Sequence, residues 1–348
     1  MQPISPSQLS QLAPNKWGSN SISYSFYIGQ PAHWTEPNVD FAFGTSIRLD
    51  DMSPITTEQW IAFQQAVSAW SAVANISLQE AAIGMGDIFV GRVPFETSRN
   101  APRDPGAQAV TIPLGFNAPG FDQNHRGDIW FSTRPYMEPA YMDPGASGYT
   151  SVLHELGHAL GLTDVAGLLP QQQDSHRYSV MSYLNLQGTP GPVKSGAPVA
   201  PMIADIAAIQ YLYGANASTH NGDDVYRFEI RNGWPVQAIW DAGGVDTIDA
   251  SDQSRELIID LNPGGESYGS SFFAGRGAEI HVALTPISRS NNLPDPTYAA
   301  NFIENAVGGS QDDAIIGNEA KCTDKVGNCN GDPGCSVALR CLTSCPKQ

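Results

Sequence analysis

Residues 149–164, Y-T-S-V-L-H-E-L-G-H-A-L-G-L-T-D, constrain this chain more than any other stretch. His154 and His158 are four apart, so on a helix they stack one turn above the other on a single face. At 100° per residue, with Leu153 at zero, His154 falls at about 100°, His158 at about 140° and Glu155 at about 200°. Tyr149, Val152, Leu153, Leu156 and Leu160 fill the remaining arc, from about 260° to about 360°. One face is built for a core, and the opposite face presents two imidazoles and a carboxylate. This is the H-E-x-x-H arrangement, in which two His bind zinc and the Glu acts as general base on a water. A bare H-E-x-x-H also arises by chance in an amphipathic helix with two surface histidines.

The residues that follow narrow the choice. Gly161 comes three residues after His158, where a helix must stop and the chain turn back, and glycine tolerates a positive φ there. Asp164, three residues later, offers a third oxygen ligand. Downstream, residues 178–183 read Y-S-V-M-S-Y. The long motif H-E-x-x-H-x-x-G-x-x-(His or Asp) followed by a Met-turn is the metzincin signature.

At these residues the chain resembles the serralysin family of bacterial zinc endopeptidases. The resemblance extends to A-P-M-I-A-D-I-A-A-I-Q-Y-L-Y-G-A-N at 200–216, W-D-A-G-G-V-D-T-I-D at 240–249 and I-E-N-A-V-G-G-S at 303–310. Three departures stand out. The family's third zinc ligand is normally His, and here it is Asp164. The family's long run of glycine-rich calcium repeats is cut to a remnant, and the Cys-rich end has no counterpart.

The resemblance implies zinc held by His154, His158 and Asp164, with Glu155 as the base that drives water onto a scissile carbonyl. Met181 forms the hydrophobic floor beneath the metal, and Tyr183 matches the family tyrosine that steadies the tetrahedral oxyanion. Substrates would be proteins or peptides. His176, 18 residues after His158, competes with Asp164 for the third ligand position. Two other classes stay open: a zinc-bearing but inactive binding module, and a calcium-dependent adhesion protein whose β domain carries the function. Retention of Glu155 argues against both, because a purely structural zinc site has no need of a base.

Asp and Glu number 35 against 18 Lys and Arg, a net charge of −17. Such a surface repels phosphate backbones, so nucleic-acid binding is not expected. The 34 Gly and 26 Pro point to turns and loops rather than a helical bundle. No apolar stretch approaches the length of a membrane span, so no membrane insertion is expected. The start, M-Q-P-I-S-P-S-Q-L-S-Q, has neither a basic run nor an apolar core and reads as lacking a Sec-type signal. A secreted, extracellular, monomeric protein is what the resemblance implies. Five cysteines, Cys322 to Cys345, crowd the last residues without a C-x-x-C pair, which reads as disulfides with one thiol left over rather than a zinc knuckle.

Along the chain, 21–27 alternates like a strand, and T-T-E-Q-W opens a long helix over 57–74 through a Thr56–Gln59 capping box. Trp60, Phe63, Val67 and Trp70 would form its buried stripe. Strands are expected at 76–80, 87–91, 108–115 and 127–133. The third of these contains Pro113 and so suits an edge, the expected place for extended substrate. Pro201–Tyr213 reads as the last helix of an α+β, metzincin-type catalytic domain, a twisted sheet layered with helices, spanning residues 1–215. A linker over 214–222 leads to a β-rich calcium-binding domain, assigned to 216–320, and residues 321–348 form the Cys-rich tail. Calcium would be held at two Gly-Gly/Asp turns, by Gly244, Asp246 and Asp249 and by Gly309 and Asp313, although each also reads as a plain turn.

Overall fold

The computed structural model describes residues 4–27, 38–40, 45–48, 52–93, 96–97, 109–115, 126–133, 137–186, 196–227, 236–254, 256–269, 279–284, 286–287, 289–292, 303–317 and 337–339. The cysteines of the tail lie outside the described residues.

The first helix, α1 (Pro6–Leu12), had no periodic pattern to betray it. Its signal is local: the Ser5 hydroxyl accepts from Gln8 N while the Gln8 amide oxygen accepts from Ser5 N, with Pro6 at the first helical position. Seven residues form no stable helix alone. Burial of Leu9 and Leu12 against the body of the protein supplies the rest.

Strand β1 (Ser21–Phe26) precedes helix α2 (Thr57–Val73), which opens with the expected capping box. Phe63, Val67 and Trp70 are buried, but Trp60 is 42% exposed. Trp60 sits in the first turn and at the edge of the apolar arc, so the stripe begins one turn later than the spacing suggests. Strands β2 (Ser77–Glu80), β3 (Ile88–Val93), β4 (Ala109–Thr111) and β5 (Ile129–Ser132) complete a five-stranded sheet of order β2-β1-β3-β5-β4. All neighbours are parallel except β4, which runs antiparallel to β5 at the edge. The edge position is the expected one, while Pro113 lies two residues past the strand rather than inside it.

Helix α3 (Ser147–Ala159) packs on α2, and the Trp70 indole donates to Leu153 O at 3.2 Å. Helix α4 (Ile203–Tyr213) is buried at every residue, more completely than the one-face pattern of Met202, Ile206, Ile209 and Tyr213 implies. It starts two residues after Pro201. Among the described residues no helix is long and apolar enough to cross a membrane.

Beyond α4 the chain is β-rich. Val225–Arg227, Thr247–Asp249 and Asn305–Val307 form a small parallel sheet. Val236–Ile239, Leu257–Asp260, Glu266–Gly269, Glu279–Val282 and Asp313–Ile316 belong to a larger mixed one. Ile239, Ile248, Ile259, Ile280, Val282 and Ile303 make a second core. Val236, Trp240 and Ala283 instead join the core that surrounds α3, and Val199 N donates to Val236 O at 3.2 Å. The two parts share packed side chains.

Candidate active site

Helix α3 carries His154 and His158 as its eighth and twelfth residues, one turn apart on the same face. His154 is 8% exposed and Glu155 7%, so the polar face of the helix lines a cleft rather than bulk solvent. Each imidazole is oriented from behind. His154 Nδ1 lies 2.9 Å from Val180 O and His158 Nδ1 lies 3.0 Å from Leu162 O. A carbonyl only accepts, so each Nδ1 carries the proton and each Nε2 keeps a bare lone pair.

The two Nε2 atoms are 3.0 Å apart. Asp164 Oδ1 lies 3.5 Å from His154 Nε2 and 3.4 Å from His158 Nε2, and it is buried without a hydrogen-bond partner. Three donors on a tetrahedral zinc with bonds of about 2.0–2.1 Å stand about 3.3 Å from one another. The three separations bracket that value, so the donor set fits a zinc ion in chemistry and in spacing.

The electrostatics follow from this enclosure. Burial pushes His154 down to about 4, and His158 beside it adds to the fall. Burial also opposes a charge on His158, but Asp164 and Glu155 outweigh it and hold His158 above its usual value. Asp164 sits below the ordinary carboxylate range: burial works against this, and the neighbouring His158 and His154 outweigh it. Glu155 is pushed up to about 7, chiefly by burial.

Asp164 reaches the histidines because the chain reverses at Gly161, where φ is +106°. Thr163 N then donates to Leu12 O at 2.8 Å, so α1 braces the return strand from outside. The Met-turn closes the site from below. Met181 is 1% exposed and lies against Gly157, the residue between the two histidines that lacks a side chain. Val165 N donates to Met181 O. Tyr183 follows on the rim, 63% exposed, with its ring centroid 5.4 Å from that of His154 and its side chain hydrogen-bonded to Asp164. His176 does not join the three donors: its Nε2 lies 2.9 Å from Ser182 O. On the other wall the edge strand approaches the helix, and Thr111 Oγ1 donates to Glu155 O at 3.0 Å.

Three supports had no signal in the motif itself. Val180 O and Leu162 O are backbone atoms that any residue would supply. Asp205 ties the Met-turn to α4, accepting from Ser179 Oγ at 2.5 Å, Val180 N at 2.7 Å and Met202 N at 2.8 Å. Its signal was a lone carboxylate in an apolar helix, which a core tolerates only when its oxygens are satisfied.

In the β-rich part, carboxylates of Asp224, Asp241 and Asp246 converge. Asp246 came from the Gly-Gly turn pattern, whereas Asp224 and Asp241 were missed because they lie outside it. Gly244 belongs to the same turn, where a Cβ would lie 1.9 Å from Gly222 O. Asp249 is turned elsewhere, to Arg227 at 2.7 Å. The second pattern is separate: Asp313 accepts from Leu257 N and Gly309 N, and thereby secures a turn.

No protein-family profile matches the chain. It is 32% identical to "Serralysin" of Proteus mirabilis over 75% of this chain and 54% of that protein. It is 30% identical to "Metalloprotease AprA" of Pseudomonas entomophila (strain L48) over 87% of this chain and 60% of that protein. Against "Serralysin B" of Dickeya chrysanthemi it is 34% identical over 55% of this chain and 40% of that protein. The chain thus spans about half the length of the curated relatives it matches.

Proposed function

This chain is a homologue of the serralysin-type metalloproteases, and from that premise we propose that it is a zinc-dependent endopeptidase. The observation that carries the reading is the convergence of His154 Nε2, His158 Nε2 and Asp164 Oδ1 on one point beside Glu155. These three residues would hold the ion. When bound, zinc would polarise a water and the scissile carbonyl and make the water a nucleophile near neutral pH.

The remaining steps belong to the chain. Glu155 stands one residue from His154 on the helix and is not needed as a ligand. It takes the proton of the attacking water and returns it to the leaving amine. Tyr183, on the rim beside His154, donates to the oxyanion that develops on the carbonyl oxygen. Met181 keeps the floor apolar and rigid. Strand β4, at the edge of the sheet among the described residues, takes an extended peptide by strand addition, which presents one peptide bond to the site and leaves side chains alternating toward and away from it.

The β-rich segment after residue 215 is read as a shortened calcium-binding domain, with Asp224, Asp241 and Asp246 as its cation ligands. Its sharing of Val236, Trp240 and Ala283 with the catalytic core supports a fixed attachment. Secretion and a monomeric state complete the proposal, and both rest on kinship. Casein hydrolysis that 1,10-phenanthroline stops and stoichiometric zinc restores is the expected result. Zinc-loaded protein that cleaves neither casein nor gelatin would overturn the reading.

A further inference from the structure

We infer that Asp174 and His176 form a clamp that positions Tyr183 over the metal-binding triad. Tyr183 is 63% exposed, so packing does little to fix its ring. Asp164 and His154 meet the ring itself, the loop sets the backbone from which it projects, and both neighbours of Tyr183 are tied to the segment 174–176. On one side, Ser182 Oγ donates to Asp174 Oδ1 at 2.6 Å and His176 Nε2 donates to Ser182 O at 2.9 Å. On the other, His176 N donates to Leu184 O at 2.8 Å. The Ser182 hydroxyl closes the loop by accepting from Leu184 N at 3.0 Å. The peptide groups either side of residue 183 are therefore held by two residues that contribute no donor to the triad.

The burial of His176 points the same way. Its Nδ1 is buried with no hydrogen-bond partner, so the ring makes a single polar contact, and that contact is the carbonyl preceding Tyr183. A leucine would fill such a space without leaving a ring nitrogen unpaired. His176 acts through Tyr183 and is a positioning residue. The inference rests on the role given to Tyr183 above.

The test uses zinc-loaded full chain with 3-fluorotyrosine incorporated, the Tyr183 resonance being assigned by its loss in Tyr183→Phe. In His176→Leu that resonance should shift or broaden, and kcat should fall about tenfold or more with zinc content and KM little changed. His176→Gln, whose side-chain amide can donate to Ser182 O, should restore the resonance and bring kcat to within about threefold of wild type. In a Tyr183→Phe background, His176→Leu should cost no further activity. An unmoved Tyr183 resonance, or a loss that multiplies fully with that of Tyr183→Phe, would overturn the clamp. A moved resonance with unimpaired Tyr183→Phe would leave the clamp standing and remove the catalytic role of Tyr183. Should His176→Leu fail to fold, Asp174→Ala leaves the ring in place and carries the same expectations.

Discussion

Gly161 lies so close to Asn15 that a Cβ at residue 161 would stand 2.1 Å from the Asn15 carbonyl oxygen. The neighbour is backbone and cannot rotate away, and φ at Gly161 is +106°, a region L side chains rarely adopt. Gly161→Ala should therefore cost about 2–4 kcal/mol, well above an ordinary surface change. The damage should reach the site, because the same turn delivers Leu162 O to His158 and carries the chain on to Asp164. Urea unfolding and a zinc titration would measure both effects. An alanine variant as stable as wild type would remove the steric argument.

Glu155→Gln keeps the shape of residue 155 and removes its capacity to take a proton. Zinc should stay bound, since the three donors are untouched, while kcat falls by about 10²–10⁴. Metal content by atomic absorption beside peptide turnover decides it. Activity within tenfold of wild type would end the assignment of Glu155 as the base.

Asp164 and His176 compete on sequence for the third ligand position, and we propose Asp164, whose Oδ1 is 3.5 and 3.4 Å from the two Nε2 atoms. Asp164→Ala should abolish tight zinc binding. His176→Ala should retain it, because its imidazole Nε2 is committed to Ser182 O. Isothermal titration of the apo-proteins with zinc separates the cases, and the opposite pattern would move the ligand to His176.

What the sequence made legible was periodic or spaced. The α3 helix, the capping box at Thr56, the edge strand and the triad spacing all have a period or a fixed offset. The misses have neither. Helix α1 is set by a four-residue cap and by docking, and Trp60 lost its place in the core through its position in the first turn. Asp224 and Asp241 are 17 residues apart and meet Asp246 only when the chain folds back. The carbonyls that orient His154 and His158 leave no trace in side-chain identity. Contacts of that kind depend on where the backbone passes, and only tertiary structure sets them.

Asp205 joins α4 to the Met-turn, and its two backbone donors, Val180 N and Met202 N, are enclosed with it. Asp205→Ala would strand them at about 1–3 kcal/mol each, so a loss of about 2–5 kcal/mol is expected, with weakened zinc binding through Val180 O and His154. The pH dependence has a definite sign. Burial pushes Asp205 up to about 6 from 3.8, although Ser179 and the backbone donors pull it down. The folded state therefore holds a proton that the unfolded chain has released between about pH 4 and pH 6. This contribution lowers stability as pH rises through that window, by about 3 kcal/mol at its upper end. Asp205→Asn lacks the proton, so the stability difference between wild type and variant should change in the variant's favour from pH 4 to pH 6. A constant difference in urea unfolding across that range would show that Asp205 ionises normally.

Asp241 is 4% exposed and Asp246 1%, with Asp224 beside them and Glu304 Oε2 accepting from Asp246 N at 2.9 Å. Burial first, and then Asp241 and Glu304, push Asp246 up to about 7. That is the mark of carboxylates repelling one another in an enclosed place, and a hard divalent cation bound by their oxygens would relieve it. Calcium should raise the melting temperature, and at about 100 times its dissociation constant it should add about 2.7 kcal/mol. The gain should vanish in Asp241→Ala and persist in Asp249→Ala, since Asp249 is paired with Arg227 instead. The cluster supplies no donor to the His154–His158–Asp164 group, so a calcium-selective chelator should lower the melting temperature before it lowers turnover of a small peptide. Scanning calorimetry with and without calcium, run beside a peptide assay well below the transition, provides the measurement. A melting curve indifferent to calcium would leave Asp224, Asp241 and Asp246 as a hydrogen-bonded turn and nothing more.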